Sequence, residues 1–294
     1  MLLHLTELPA FMRQQWLQHA IAPRPIALVS SINKKGEVNL APFSFFNMVS
    51  TEPPLVIFSP NRRLRDNSTK HTLDNLTETR EVVIHIVTYD MVQQVSLASC
   101  EYPAGIDEFI KAGFTKEAAT LLKPPMVKES PVKFECRIIN VQPLGEAGGS
   151  GNLVIAEVLC MHISEEILNT EGTMIDQQKL SLVARLGGDW YCYVEPENLF
   201  KLAKPNAKLG IGFDALPEAI KTSDILSGNH LAQLANVETI PTRDDTYIHE
   251  LLSLRLRTIE DKAQRKKMLY TEAKHLLDEG RVQEAWQVLL MERE

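Results

Sequence analysis

The sequence is poor in the features that announce several protein classes. It has four cysteines in 294 residues, Cys100, Cys136, Cys160 and Cys192. None stands in a CxxC pair or at a zinc-type spacing to a histidine, so neither a disulfide framework nor a metal site is expected. Scattered, reduced and partly buried thiols are the simpler expectation. Basic charge is not in excess: 31 Lys and Arg against 38 Asp and Glu give a net charge of −7. Such a chain has no electrostatic footprint for a nucleic-acid partner. Apolar stretches such as Leu55–Phe58 and Val82–Ile84 break off early, far short of the ~20 residues of a membrane span. The opening MLLHLTELPAFMRQQW carries an early acid and no basic segment ahead of an apolar block. A signal peptide is therefore not expected, and a cytoplasmic location is. There is also no GxSxG, HExxH, P-loop lysine or GxGxxG, so no catalytic side chain is nominated.

What is present is strand. Segments 26–32, 38–42, 54–59, 81–88, 132–141 and 152–163 are rich in β-branched or large apolar residues, the composition that suits a pleated, half-buried surface. Asn33-Lys34-Lys35-Gly36 reads as a hairpin turn with glycine at the left-handed position. Gly145 to Gly151 reads as a longer glycine-rich hairpin loop. Six strands without a βαβ alternation point to an antiparallel barrel, so the fold class expected is mainly β with appended helices. Short helices are expected over 68–78, 91–99 and about 115–122. After about residue 204 the character changes. Residues 243–294 carry 10 basic and 11 acidic side chains. Apolar residues recur there at helical spacing, as Ile248, Leu251, Leu252 and Ile259, and again as Val282, Ala285, Trp286 and Leu289. Two or three amphipathic helices are expected, one ending at Gly280. The organisation read from the sequence is a barrel domain over 1–204 and a largely helical extension over 205–294.

The most informative stretch runs from Ser30 to Pro54. Polar Asn39, Ser44 and Asn47 interleave with Phe43, Phe45 and Phe46, and Pro42 interrupts the strand. A proline there marks an edge, bulge or rim, because it cannot donate to a ladder. The combination suits a flat, apolar ligand that also forms hydrogen bonds; a packed barrel corner would carry the same pattern. His85, alone in a strand, reads as a satisfied core residue.

The run RPIALVSSxxxxGxxNLAPFSFFNxxSxxPP resembles the opening of the flavin reductase-like, FMN-binding split-barrel family, which includes the flavoredoxins. Further pieces come in order: Lys70-His71-Thr72, similar to the family's K-D-T; EVVIHIVT; EYPAGIDEFIKAGFT; SPVKFEC; and Arg185-Leu186-Gly187-Gly188. Together they cover about residues 20–195.

The resemblance implies a six-stranded antiparallel split barrel, FMN as cofactor, and a homodimer. An FMN phosphate wants cations, hydroxyls and backbone donors. Lys70 and Thr72 near a helix start would supply them, with Arg62, Arg63 and Arg65 upstream as further cations. The isoalloxazine would lie along Ala41, Pro42, Phe43, Ser44, Phe45 and Asn47, and Asn39, Ser59 and Arg185 complete the implied cofactor set. His71 stands where the family has aspartate, which leaves the phosphate role to its two neighbours. The implied activity is hydride transfer from NAD(P)H to the flavin. An alternative is a non-enzymatic FMN-binding electron carrier that docks a redox partner protein. A pyridoxamine-phosphate-oxidase-like enzyme would need a substrate-phosphate site that the sequence does not display.

Overall fold

The computed structural model describes residues 1–202, 209–244, 246–247, 252, 256 and 259–293. The chain divides into two compact units, Met1–Phe200 and Lys201–Glu294. The expected boundary between 204 and 205 lies outside the described residues, as do Ile248 and Leu251.

In the first unit, β1 (Arg24–Pro25) leads into β2 (Ala27–Ile32), β3 (Val38–Phe43), β4 (Phe46–Ser50) and β5 (Leu55–Phe58). After α2 (His71–Thr79) come β6 (Glu81–Ile86), α3 (Val92–Ala98) and α4 (Glu108–Ala112). The short β7 (Lys116–Glu117) and β8 (Met126–Val127) precede the long β9 (Val132–Pro143) and β10 (Asn152–Ile163). Finally β11 (Val183–Arg185) and β12 (Tyr191–Tyr193) form a small sheet with β1. A helix α1 (Ala10–Ala20) lies ahead of them all.

The main sheet has seven strands in the order β3-β2-β6-β9-β10-β5-β4, and all its pairings are antiparallel. Its two edges, β3 and β4, are joined through Ser44 and Phe45 alone. Three Cα steps reach at most ~11 Å, whereas the edges of a flat seven-stranded sheet would stand ~29 Å apart. The sheet must therefore curl until its edges approach, and they do so without pairing. That is a half-barrel, split between β3 and β4.

Alternation on β2 shows how the two faces are used. Ala27 and Val29 join Phe43, Phe58, Leu76, Ile84 and Ile138 in the barrel core. Ile26 and Leu28 face the other way, against Val95, Ala98 and Phe109. A period of two thus serves two cores with one strand.

The six expected strands are all present; the seventh is β4, a segment read from sequence only as ligand-facing. Its pattern hides it, since Asn47, Met48 and Val49 are all exposed and no alternation marks a buried face. The helix expected over 115–122 is not there. Backbone N–H groups of Thr120, Leu121 and Leu122 bond instead to the buried carboxylate of Glu135, each at 2.8 Å. Burial alone would push that carboxyl up, but His162 and the three N–H groups hold it ionised, at about 2. Pro124 and Pro125 come next and further disfavour a helix.

The second unit contains α5 (Glu218–Lys221), α6 (Gly228–Ala235), α7 (Lys262–Asp278) and α8 (Val282–Leu290). Leu234, Tyr270, Ala273, Leu276, Ala285, Trp286 and Leu289 build its own core. Gly280, at φ +75°, closes α7. Its N–H bonds Leu277 O and the Arg281 N–H bonds Leu276 O, the paired bonds of a Schellman stop.

Candidate functional site

The site grows out of β3 and the start of α2. Asn39 on β3 is buried, and its Nδ2 donates to the Thr72 hydroxyl at 2.9 Å. Thr72 is wholly buried; its oxygen accepts from Asn39, so its own proton remains to be donated. No side chain caps α2 at Lys70, which leaves the positive end of the helix turned to this region. The Lys70 ammonium lies 5.3 Å from the centre of the Phe43 ring. Burial, and then the nearby Arg63 guanidinium, lower its pKa from the ordinary lysine value. Two cations and a free hydroxyl proton thus converge beside an uncapped helix end.

Asn39, Ala41, Pro42, Lys70 and Thr72 share one small cavity of about 40 Å³ with Arg63, His71, Cys100, Tyr102 and Glu108. Glu108 is buried and accepts from the Leu40 N–H at 3.0 Å; burial raises its pKa. The cavity is therefore lined by two cations, Lys70 and Arg63, and by two carboxyl groups, Glu101 and Glu108. Arg63 is held by Glu101 at 2.9 Å and by Ser68 at 3.0 Å.

A second, larger hollow of about 560 Å³ has Phe45, Asn61, Leu64 and the turn Gly148-Gly149-Ser150 along one side, and Leu17, Ile21 and Arg24 along the other. That volume is in the range of small-molecule sites. The segment 61–65 contributes Asn61 and Leu64 to this hollow and Arg63 to the smaller one. Arg24 is buried and donates to Gln18 O, Ile21 O and Leu186 O at 2.6, 2.5 and 2.7 Å. Its Nε is buried with no partner.

The remaining residues nominated from sequence fall into different places. Ser59 donates to Asn61 Oδ1 at 3.1 Å, so it lies just behind the larger hollow. Arg62 is engaged with Asn67, through Oδ1 at 2.6 Å and the backbone carbonyl at 2.7 Å. Phe43 packs in the barrel core against Phe58, ring centres 5.5 Å apart. Ser44 forms the bend between β3 and β4, and Asn47 is exposed on β4. Arg185 is not brought to either hollow. It sits on β11, opposite Arg24, over the Tyr191 ring at 4.4 Å, and donates to Gly188 O at 2.7 Å.

Sequence reading missed the α1 wall of the larger hollow, because 10–20 shows no segregated apolar face and buries no residue. It also passed over Asn61 and Glu108. Glu108 had a signal: it lies in EYPAGIDEF, a stretch that carries the family resemblance.

Comparison with known proteins agrees with this architecture. An uncharacterized protein of Aquifex aeolicus (strain VF5) is 36% identical over 171 residues, 58% of this chain and 84% of its own length. Among solved structures, nitrilotriacetate monooxygenase component B from Bacillus cereus is similar at TM-score 0.64 and 29% identity, over 69% of this chain and 98% of that one. Flavoredoxin of Desulfovibrio vulgaris (Miyazaki F) shares the fold at TM-score 0.52 and 21% identity, over 64% of this chain and 93% of that one. The family described as flavin reductase like domain matches residues 19–180, more than half of the chain and the whole of the seven-stranded sheet. The chain belongs to the flavin reductase-like family.

Proposed function

We propose that this chain is an FMN-dependent NAD(P)H:flavin oxidoreductase, acting as a cytoplasmic homodimer, with its barrel domain holding the cofactor and its helical extension appended. The observation that carries the reading is the Lys70 ammonium. It is partly buried, it has no hydrogen-bond or ion-pair partner among the described residues, and it lies beside Arg63, Thr72 and an uncapped helix end. Such a cluster is completed by an anion. The residues present therefore fit a flavin phosphate.

When bound, the flavin supplies a ring that accepts hydride directly from a nicotinamide, so no acid–base side chain is required. The protein's part is positioning. Lys70 and Thr72 fix the phosphate end. The β3 backbone at Ala41 and Pro42 offers polar groups along one edge. Phe45 and Leu64 supply apolar surface in the larger hollow, which the Gly148–Ser150 turn also lines. Large exposed apolar side chains such as Phe11, Trp16, Met48, Val49 and Trp190 support contact with a second copy.

Lys70→Ala is expected to weaken FMN retention by roughly 10-fold or more, in line with a lost charge-assisted contact. Unchanged affinity in equilibrium dialysis would refute the phosphate assignment. Anaerobic mixing with NADH or NADPH tests the activity: bleaching of the visible flavin band supports the reductase. Flavin that neither nucleotide reduces, but a protein donor does, would establish the electron-carrier reading in its place.

A further inference from the structure

Away from both hollows, the long β9–β10 hairpin gathers a second set of chemistry-bearing side chains. Register opposes Val158 to Cys136 and then Cys160 to Glu135, so Leu159 is an extra residue in β10. A bulge of this kind shifts the alternation by one and re-aims the side chains beyond it. Without it, Cys160 and His162 would share the core face of Val154 and Ala156. With it, both turn to the opposite face, where Glu135 lies. Cys160 Sγ is 3.5 Å from Glu135 Oε1 and 3.7 Å from His162 Nε2. His162 Nε2 is 2.7 Å from the same Oε1.

Lone pairs on Glu135 are over-subscribed. Its two oxygens offer about four acceptor positions, and three are occupied by the N–H groups of Thr120, Leu121 and Leu122. The one that remains, on Oε1, faces two donors, the Cys160 thiol and His162 Nε2. A cation at that point would replace both protons with one partner.

We propose that Glu135, Cys160 and His162 form a site for a divalent zinc ion. Thiolate, imidazole and carboxylate are the three ligand types zinc accepts, at about 2.0–2.3 Å, which sets tetrahedral ligand atoms ~3.3–3.6 Å apart. The Cys160–Glu135 distance of 3.5 Å lies within that range, and the Cys160–His162 distance of 3.7 Å just beyond it. The His162–Glu135 pair must open by roughly half an ångström, which a ring with a 27% exposed side chain can do by rotation. On binding, Cys160 releases its thiol proton to solvent. His162 presents the Nε2 lone pair and carries its proton on Nδ1, which has no protein partner among the described residues. The carboxylate is oriented beforehand by its three backbone donors, the support a liganding carboxylate requires. With three protein ligands, the fourth position falls to water at the His162 side. The ion would pin the segment at 120–122 to both strands of the hairpin. C-x-H on a bulged strand is not a zinc spacing that sequence reading recognises, which is why no metal was expected.

The test is zinc titration of the full-length protein by calorimetry, with metal analysis after dialysis. One zinc per chain is expected. Cys160→Ala and His162→Gln should each weaken binding beyond the roughly 10–100-fold that losing an outer partner costs, while Cys192→Ser retains it. Zinc should also protect Cys160 from alkylation in peptide-resolved mass spectrometry, a readout independent of affinity. No stoichiometric uptake would overturn the site, as would uptake that survives both substitutions or leaves Cys160 equally reactive. Glu135→Gln is not the variant of choice, because it also disturbs the anchor for 120–122.

Discussion

His85 shows what one buried titratable group does to the barrel. Its side chain is inaccessible; Nδ1 lies 2.7 Å from Leu28 O and Nε2 accepts from the Val127 N–H at 2.9 Å. Those partners fit only the neutral ring with its proton on Nδ1. Burial pulls its pKa from 6.5 down to about 3, against the opposing Leu28 bond. The unfolded chain therefore binds the proton first. Stability from this residue is complete above about pH 6.5 and falls as the pH drops toward 3, by about 1.4 kcal/mol per unit. In urea unfolding, the margin of the natural protein over His85→Gln should be largest at pH 7.5 and should shrink at pH 5. A margin independent of pH would mean the ring is not held neutral. The reading of His85 as a core residue needed only its place in an apolar strand. That Asn39, Pro42, Lys70 and Thr72 line one cavity was legible for a different reason: they stand close together in sequence, in the stretches that carry the family resemblance. Asn61 and Arg24 were not, since they meet only after the sheet has curled.

At the scale of elements, runs of β-branched or large apolar residues marked the six expected strands, while β4 and α1 lacked any pattern. Both are exposed along most of their length, so no buried face imposes periodicity on them. The segment 115–122 failed for another reason, because a distant carboxylate displaced the local helix as partner for its N–H groups. Glycines give two tests here. A Cβ on Gly148 would lie 3.0 Å from Arg63 O and 3.1 Å from Leu64 O. Gly148→Ala should therefore push the 61–65 segment from its place between the two hollows. The expected outcome is several-fold weaker FMN retention with little change in the melting temperature of the flavin-free protein. Gly280 has open space around it but a φ of +75°, so alanine there meets only backbone strain. Gly280→Ala should cost about 1 kcal/mol, and Gly280→Asn less, measured on the helical unit's unfolding.

On the scale of the whole molecule, two separate cores imply two cooperative units. Cofactor stabilisation must then be unequal, because a ligand raises the stability only of the unit whose native state it binds. The chain carries natural reporters for this. Of its three tryptophans, Trp16 and Trp190 belong to the first unit and are exposed, whereas Trp286 is wholly buried in the second. Loss of the blue-shifted Trp286 emission tracks unfolding of the helical core, where its indole N–H bonds Leu234 O at 3.2 Å. Far-ultraviolet signal from strands tracks the barrel. With FMN at about 100 times its dissociation constant, the barrel gains about 2.7 kcal/mol. The strand transition should move up by several degrees while the Trp286 transition stays in place. Equal shifts in both would show that the units unfold as one, and the helical extension would then have to be treated as part of the flavin-binding machinery.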